Sequence, residues 1–143
     1  MLGFSQLSRV FLWFFLLCVL SIGCFKGKGN VTFQNKTGET IVEGQLKVGQ
    51  QTFDLLGVKP SESRDFSFQS SQCHPCGYLV GVTLASGRRM VETIGTLREG
   101  VDYQDTLNLG VDRLFLESAQ NESGQTGYLS KFSQEKKFKW VLP

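Results

Sequence analysis

The sequence predicts an all-β domain, a sandwich or small barrel of seven or eight short antiparallel strands, behind an N-terminal export leader. Three observations carry this. Strand-length segments with period-two alternation recur between turn signals. Glycine is abundant at 16 residues while proline is scarce at 3, which suits short strands joined by tight turns. No segment keeps a 3.6-residue period over eleven or more positions, so no amphipathic helix competes.

The segments follow in order. Asn30–Asn35 sets Val31 and Phe33 on one face, and 36–39 is a turn. Thr40–Val48 alternates through Val42, Leu46 and Val48, with Gly44 between them. Gly49-Gln50 makes a tight hairpin into Gln51–Leu56. A second turn, 59–63, precedes Arg64–Gln69, which alternates through Phe66 and Phe68. A loop holding Cys73 and Cys76 leads to the apolar run Tyr78–Leu84. Ser86-Gly87 turns the chain into Arg88–Thr96. Asp102–Leu109 alternates through Tyr103, Asp105, Leu107 and Leu109. Val111–Glu117 is the last expected strand, with Leu114 and Leu116 opposite Arg113, Phe115 and Glu117.

The bulk numbers fit one such domain. The chain has 143 residues, with 20% charged and 12% aromatic, a globular composition. Its formal net charge is +2, too near zero to steer the whole domain onto nucleic acid.

Residues 1–23 read as a signal peptide. Arg9 is the only charged residue before Lys26, and an apolar run of thirteen residues, Val10 to Ile22, follows it. A bilayer core needs about 20 helical residues, so this run has the length of a signal-peptide core and not of a stable span. Ser21 and Gly23 are small and suit cleavage before Cys24. Leu20-Ser21-Ile22-Gly23-Cys24 resembles the lipobox of bacterial lipoproteins, in which a small residue precedes a cysteine that becomes diacylated. It matches at Gly23 and Cys24 and departs at Ser21, where that pattern usually has an aliphatic residue. The resemblance implies lipidation at Cys24; plain secretion with Cys24 as a free or paired thiol, and an uncleaved N-terminal membrane anchor, are the competing readings. Acylation there would also leave Cys73 and Cys76 as a single pair once Cys18 departs with the leader. Residues 24–29 then form a short Gly/Lys tether that keeps the domain close to a membrane.

Several features of 30–110 resemble small exported bacterial lipoproteins of unknown function that carry one immunoglobulin-like β domain. These are Asn35-Lys36-Thr37-Gly38-Glu39-Thr40 after the opening strand, the Pro60-Ser61-Glu62-Ser63 turn before the Phe66/Phe68 strand, and the hairpin at Ser86-Gly87. The resemblance implies an immunoglobulin-like antiparallel β-sandwich over 30–117 and implies no activity. From 118 to 143 the expectation is a polar linker and then a basic, aromatic tail. That tail carries Lys131, Lys136, Lys137 and Lys139 around Trp140. It either docks on the domain as a final strand or turn, or serves as an interaction segment. Beside an anionic membrane each lysine would add about 1 kcal/mol.

Cys73-His74-Pro75-Cys76 is the one chemical motif. Its spacing resembles the redox site of thioredoxin-like proteins, where it opens a helix; here it lies between two predicted strands. With His74 it offers three metal ligands, one fewer than structural zinc wants. The expectation is a disulfide between Cys73 and Cys76 that fixes the loop, with thiol redox or soft-metal chemistry as the competing reading. No Gly-x-Ser-x-Gly elbow and no phosphate-binding glycine loop occur, and His74 is the only histidine. Asp102 and Asp105 read as solvated. Asn30, Asn35 and Asn121 begin Asn-x-Ser/Thr triplets, with Asn35 and Asn121 expected to be accessible, which keeps a plain secreted glycoprotein in view. The sequence therefore points to a membrane-anchored envelope protein facing the periplasm or cell surface. It would be a non-catalytic binding or structural module with no cofactor and no small-molecule substrate. Its partners would be the membrane and a protein of the envelope.

Overall fold

A computed structural model describes residues 27–73, 75–122 and 130–143. The leader and Cys24 lie outside the described residues, as do His74 and the segment 123–129. Nine strands are described: β1 Lys28–Asn35, β2 Ile41–Val48, β3 Gln51–Asp54, β4 Ser63–Gln69, β5 Cys76–Leu84, β6 Arg89–Leu97, β7 Val101–Leu109, β8 Arg113–Glu122 and β9 Ser130–Lys137. One turn of 3-10 helix, Ser70–Gln72, precedes the disulfide loop.

The strands form two sheets, ordered β4-β1-β7-β8-β9 and β3-β2-β5-β6, which face each other across one core. Every neighbouring pair is antiparallel except β1 and β7, which run parallel from Gly29↔Tyr103 to Asn35↔Leu109. Period-two alternation decides which side chains enter. Val31 and Phe33 of β1, Leu46 and Val48 of β2, Val80 and Val82 of β5, and Leu107 and Leu109 of β7 are all buried. Each such strand is held on one face by burial, so a one-residue slip would put its whole apolar set in water.

The aromatic cluster near the chain's arrival point depends on a missing side chain. Gly29 faces inward on β1, paired with Phe68 on one side and Tyr103 on the other. A Cβ at Gly29 would lie 2.0 Å from the Phe68 ring, so only glycine leaves room there. Phe68 then meets Tyr78 edge-on at 5.8 Å and stacks on Tyr103 at 6.4 Å between centroids.

The C-terminal region is more regular than expected. β8 continues through Glu122, where the sequence placed the last strand's end at Glu117 and a linker from Ser118. Ser130–Lys137 then joins the first sheet as its edge strand, β9, pairing with β8 from Gln120↔Ser130 to Arg113↔Lys137. The chain next crosses to the second sheet, where Val141 and Arg89 exchange both backbone hydrogen bonds at 2.8 and 2.9 Å. Gln134 Oε1 accepts from the Gly95 amide at 3.0 Å, and Lys136 Nζ meets Glu92 Oε2 at 2.8 Å. These contacts tie the edge strands β9 and β6 to each other. Polar alternation in β9 hides it from a search for hydrophobic period, because every described residue from Lys131 to Glu135 is exposed.

Candidate functional site

The chain enters the sandwich beside the disulfide loop. The Gly27 carbonyl accepts from the Ser70 amide at 2.9 Å, and Ser70 Oγ donates to the Val101 carbonyl at 2.8 Å. Ser70 is fully buried, and a Cβ at Gly27 would collide with its hydroxyl. The Cys73 amide donates back to the Ser70 carbonyl at 3.0 Å, closing the 3-10 turn. Cys73 and Cys76 are joined as a disulfide with 4.8 Å between Cα atoms. Cys73 is only 1% exposed and belongs to the core; Cys76 is half-buried and opens β5. The expected disulfide is therefore present, and it staples the loop that holds the arriving chain. Among the described residues no group of three or more His, Cys, Asp or Glu side chains could hold a metal ion.

Two residues beyond Cys76 the structure builds a polar centre that the sequence reading did not assign. The Tyr78 hydroxyl donates to Asp105 Oδ2 at 2.5 Å. The Ser118 hydroxyl donates to Asp105 Oδ1 at 2.5 Å. Asp105 is 4% exposed, which corrects its expected place as a solvated residue; Asp102 is exposed, as expected. The reason lies in the alternation itself, because Asp105 shares the inward face of β7 with Tyr103 and Leu107. Burial drives the Asp105 carboxyl above its ordinary range, while hydrogen bonds from Ser118, Tyr78 and the Ala119 amide pull it back only in part. Burial also pushes the Tyr78 phenol far upward, with the nearby Asp105 charge adding to it, so Tyr78 keeps its proton and donates it. Both carboxylate oxygens have a hydroxyl donor, and no imidazole or ammonium touches the centre among the described residues. This arrangement joins β5, β7 and β8 across the two sheets.

The candidate interaction residues of the tail do not act as one cluster. Lys136 is committed to Glu92 and to the Thr93 carbonyl at 3.2 Å. Trp140 is docked: its indole N–H donates to the Val111 carbonyl at 2.5 Å, its ring meets Phe138 edge-on at 5.0 Å, and the Arg88 guanidinium lies 5.2 Å from it. Lys131, Lys137 and Lys139 are exposed and form no ion pair among the described residues. Phe132 is 40% exposed and Phe138 is buried.

Asn35 also needs correction. It is fully buried, not accessible. Its Nδ2 donates to the carbonyls of Glu39 at 2.8 Å and Val58 at 3.1 Å, and its Oδ1 accepts from the Thr37 amide and hydroxyl at 3.0 and 2.7 Å. Asn30 is exposed, and Asn121 is half-buried on β8.

Comparison with protein-family models, with curated proteins and with solved structures returned no match.

Proposed function

We propose that the chain is an exported lipoprotein, acylated at Cys24 after loss of residues 1–23. Its β-sandwich would serve as a non-catalytic binding or structural module held at an envelope membrane. The observation that carries this is where the chain enters the fold. Gly27, three residues after Cys24, is already clamped by Ser70 beside the disulfide loop. Three extended residues reach about 10 Å, so a lipid on Cys24 would hold this end of the sandwich at the bilayer surface. The Cys73–Cys76 disulfide supports an oxidising compartment. Burial of Cys73 and the place of Cys76 at the start of a strand, without the helix N-terminus that lowers a thiol pKa, support a structural bond over a redox centre. Burial of Asn35 removes one of the three triplets that favoured a glycoprotein.

The test is the intact mass of the membrane fraction of a bacterial host, beside a Cys24→Ala chain. A mass gain equal to several acyl chains, lost in the variant, is the expected result. A soluble, unmodified product beginning at Cys24 would overturn the anchor.

A further inference from the structure

We infer that the outer face of the five-stranded sheet binds an uncharged polysaccharide chain in a groove that runs along β8. This rests on the reading of the sandwich as a binding module and does not need the acylation of Cys24.

Strand register sets what this face presents. Asn30, Thr32 and Gln34 of β1 and Gln104, Thr106 and Asn108 of β7 alternate with the core residues of those strands, so they point away from the core side by side. None of the six is charged. β8 adds Phe115, Glu117 and Ala119, and β9 adds Lys131 and Ser133. The outer face of the other sheet is of a different kind, exposing Leu79 and Val91 among Glu43, Lys47 and Arg89.

Two depressions join on the polar face. One, of about 450 Å3, is lined by Ala119 with Gln104, Thr106, Glu117, Lys131 and Ser133. The next, of about 330 Å3, is lined by Lys36, Asn108, Arg113 and Phe115, and Glu117 belongs to both. From Arg113 to Ala119 the groove follows β8 for about 20 Å, at about 3.3 Å per residue, which is room for several sugar rings in a row.

A second observation falls on the same face. Two side-chain oxygens are buried without a partner among the described residues, Asn108 Oδ1 and Asn121 Oδ1, and register places both on this side of the sheet. Asn108 is only 7% exposed, and it lines the second depression. The core elsewhere satisfies its polar groups, as at Asn35 and Asp105. Unpaired buried amides are uncommon, and a hydroxyl-bearing ligand lying in the groove would bring partners to them.

The chemistry of the groove selects the ligand. Phe115 and Ala119 are its only apolar side chains, too little for the apolar anchor of a protein partner. Arg113 is taken up by Asp112 and Glu135, which leaves Glu117 between Lys36 and Lys131. A groove of mixed sign does not select a phosphate backbone. Amides and hydroxyls both give and accept hydrogen bonds, as sugar hydroxyls do, and the Phe115 ring can take the C–H face of a pyranose.

The full chain, solubilised from the membrane fraction in detergent, is sedimented with powdered cellulose, a polymer of hexose, and with chitin, a polymer of N-acetylhexosamine. Retention on at least one polymer is expected, and it should persist in 0.5 M salt because the ligand carries no charge. A Gln104→Ala/Glu117→Ala chain should be retained about tenfold less at an unchanged urea midpoint. A Gln45→Ala/Lys47→Ala chain, altered on the outer face of the other sheet, should be retained like the native protein. Retention on chitin alone identifies the N-acetylhexosamine class, and retention on cellulose the hexose class. Retention on neither polymer, retention abolished by salt, or equal retention of the Gln104→Ala/Glu117→Ala chain would overturn the inference. The intact mass of the same preparation reports acylation, so failure of the anchor and failure of this surface are read separately.

Discussion

Asn35 and Asp105 are both buried polar side chains of the five-stranded sheet, and the fold treats them in opposite ways. Asn35 lies at the end of β1 and has four hydrogen bonds, two given and two accepted, all within the connection from 35 to 58. Asp105 lies in the middle of β7 and only accepts, from hydroxyls on β5 and β8. An amide carries both donor and acceptor and has no charge to desolvate, so a saturated Asn is inexpensive to bury. A carboxylate must either lose solvation or take up a proton, and two hydroxyl donors offset only part of that cost. One residue therefore fixes the path of the chain whatever the pH. The other makes cohesion between the sheets depend on protonation.

The largest expected effect is at Asn35. Asn35→Ala removes four hydrogen bonds and leaves the Thr37 amide without its partner, while the Val58 carbonyl keeps the Ile41 amide and the Glu39 carbonyl keeps the Thr37 hydroxyl. At about 0.5–1.5 kcal/mol per lost hydrogen bond, a loss of about 2–5 kcal/mol is expected in chemical denaturation at neutral pH. Asn35→Asp should lose nearly as much, because a carboxylate can accept from Thr37 but faces two carbonyls it cannot donate to. A loss below about 1 kcal/mol for either would mean that the turn is set elsewhere.

Next comes Tyr78→Phe, which keeps the ring against Phe68 and removes only the hydroxyl. A loss of about 1–2 kcal/mol is expected at pH 7, where Asp105 most needs its donor, and less at low pH, where the carboxyl holds its own proton. Ser118→Ala removes the other donor and should cost about 1 kcal/mol, because the Ala119 amide still serves the same carboxylate. Urea midpoints for both variants, measured at pH 7 and pH 4.5, check the order and the pH trend. Equal losses at both pH values would separate these hydroxyls from the charge on Asp105.

How these two residues read in the sequence follows from the same difference. Eight strands and the disulfide were legible because period-two burial and a Cys-x-x-Cys loop are local signals. The alternation of β7 through Tyr103, Asp105, Leu107 and Leu109 was also legible, but Asp105 was read as solvated within it. The partners that make Asp105 tolerable there were not legible, since Tyr78, 27 residues away, reaches it from the facing sheet, and Ser118, 13 residues away, is its register partner on β8. Asn35 sits in an Asn-Lys-Thr-Gly turn, which on its own reads as surface. In the fold it is buried, and the turn after β3 brings the Val58 carbonyl to its Nδ2 from 23 residues away. β9 was legible only as one alternative, a docked final strand or turn against a free interaction segment, because its neighbours are met through backbone and polar side chains. Nothing in its own pattern marks one face as buried.

The smallest change should be the most informative. Asp105→Asn keeps the shape and can still accept from one hydroxyl while donating to the other, because hydroxyls rotate to either role. In the native chain the Asp105 carboxyl is raised above its ordinary value of 3.8. Between that value and the raised one, the folded state holds a proton that the unfolded state has released. Stability from this group is therefore fully present below the ordinary value, falls as pH rises through the raised value, and is flat above it. Glu39, held low first by hydrogen bonds from Arg88 and Ser86, and Glu62, held low first by the Lys59 amide, contribute the opposite slope near the ordinary range. Both are unchanged in the variant, so they cancel when the two chains are subtracted. The difference in stability, variant minus native, should rise with pH to a plateau within about 1 kcal/mol of zero or above it, and dip at low pH. A flat difference would mean that Asp105 titrates alike in both states. A falling one would mean that its hydrogen bonds outweigh its burial, and the contrast with Asn35 would vanish.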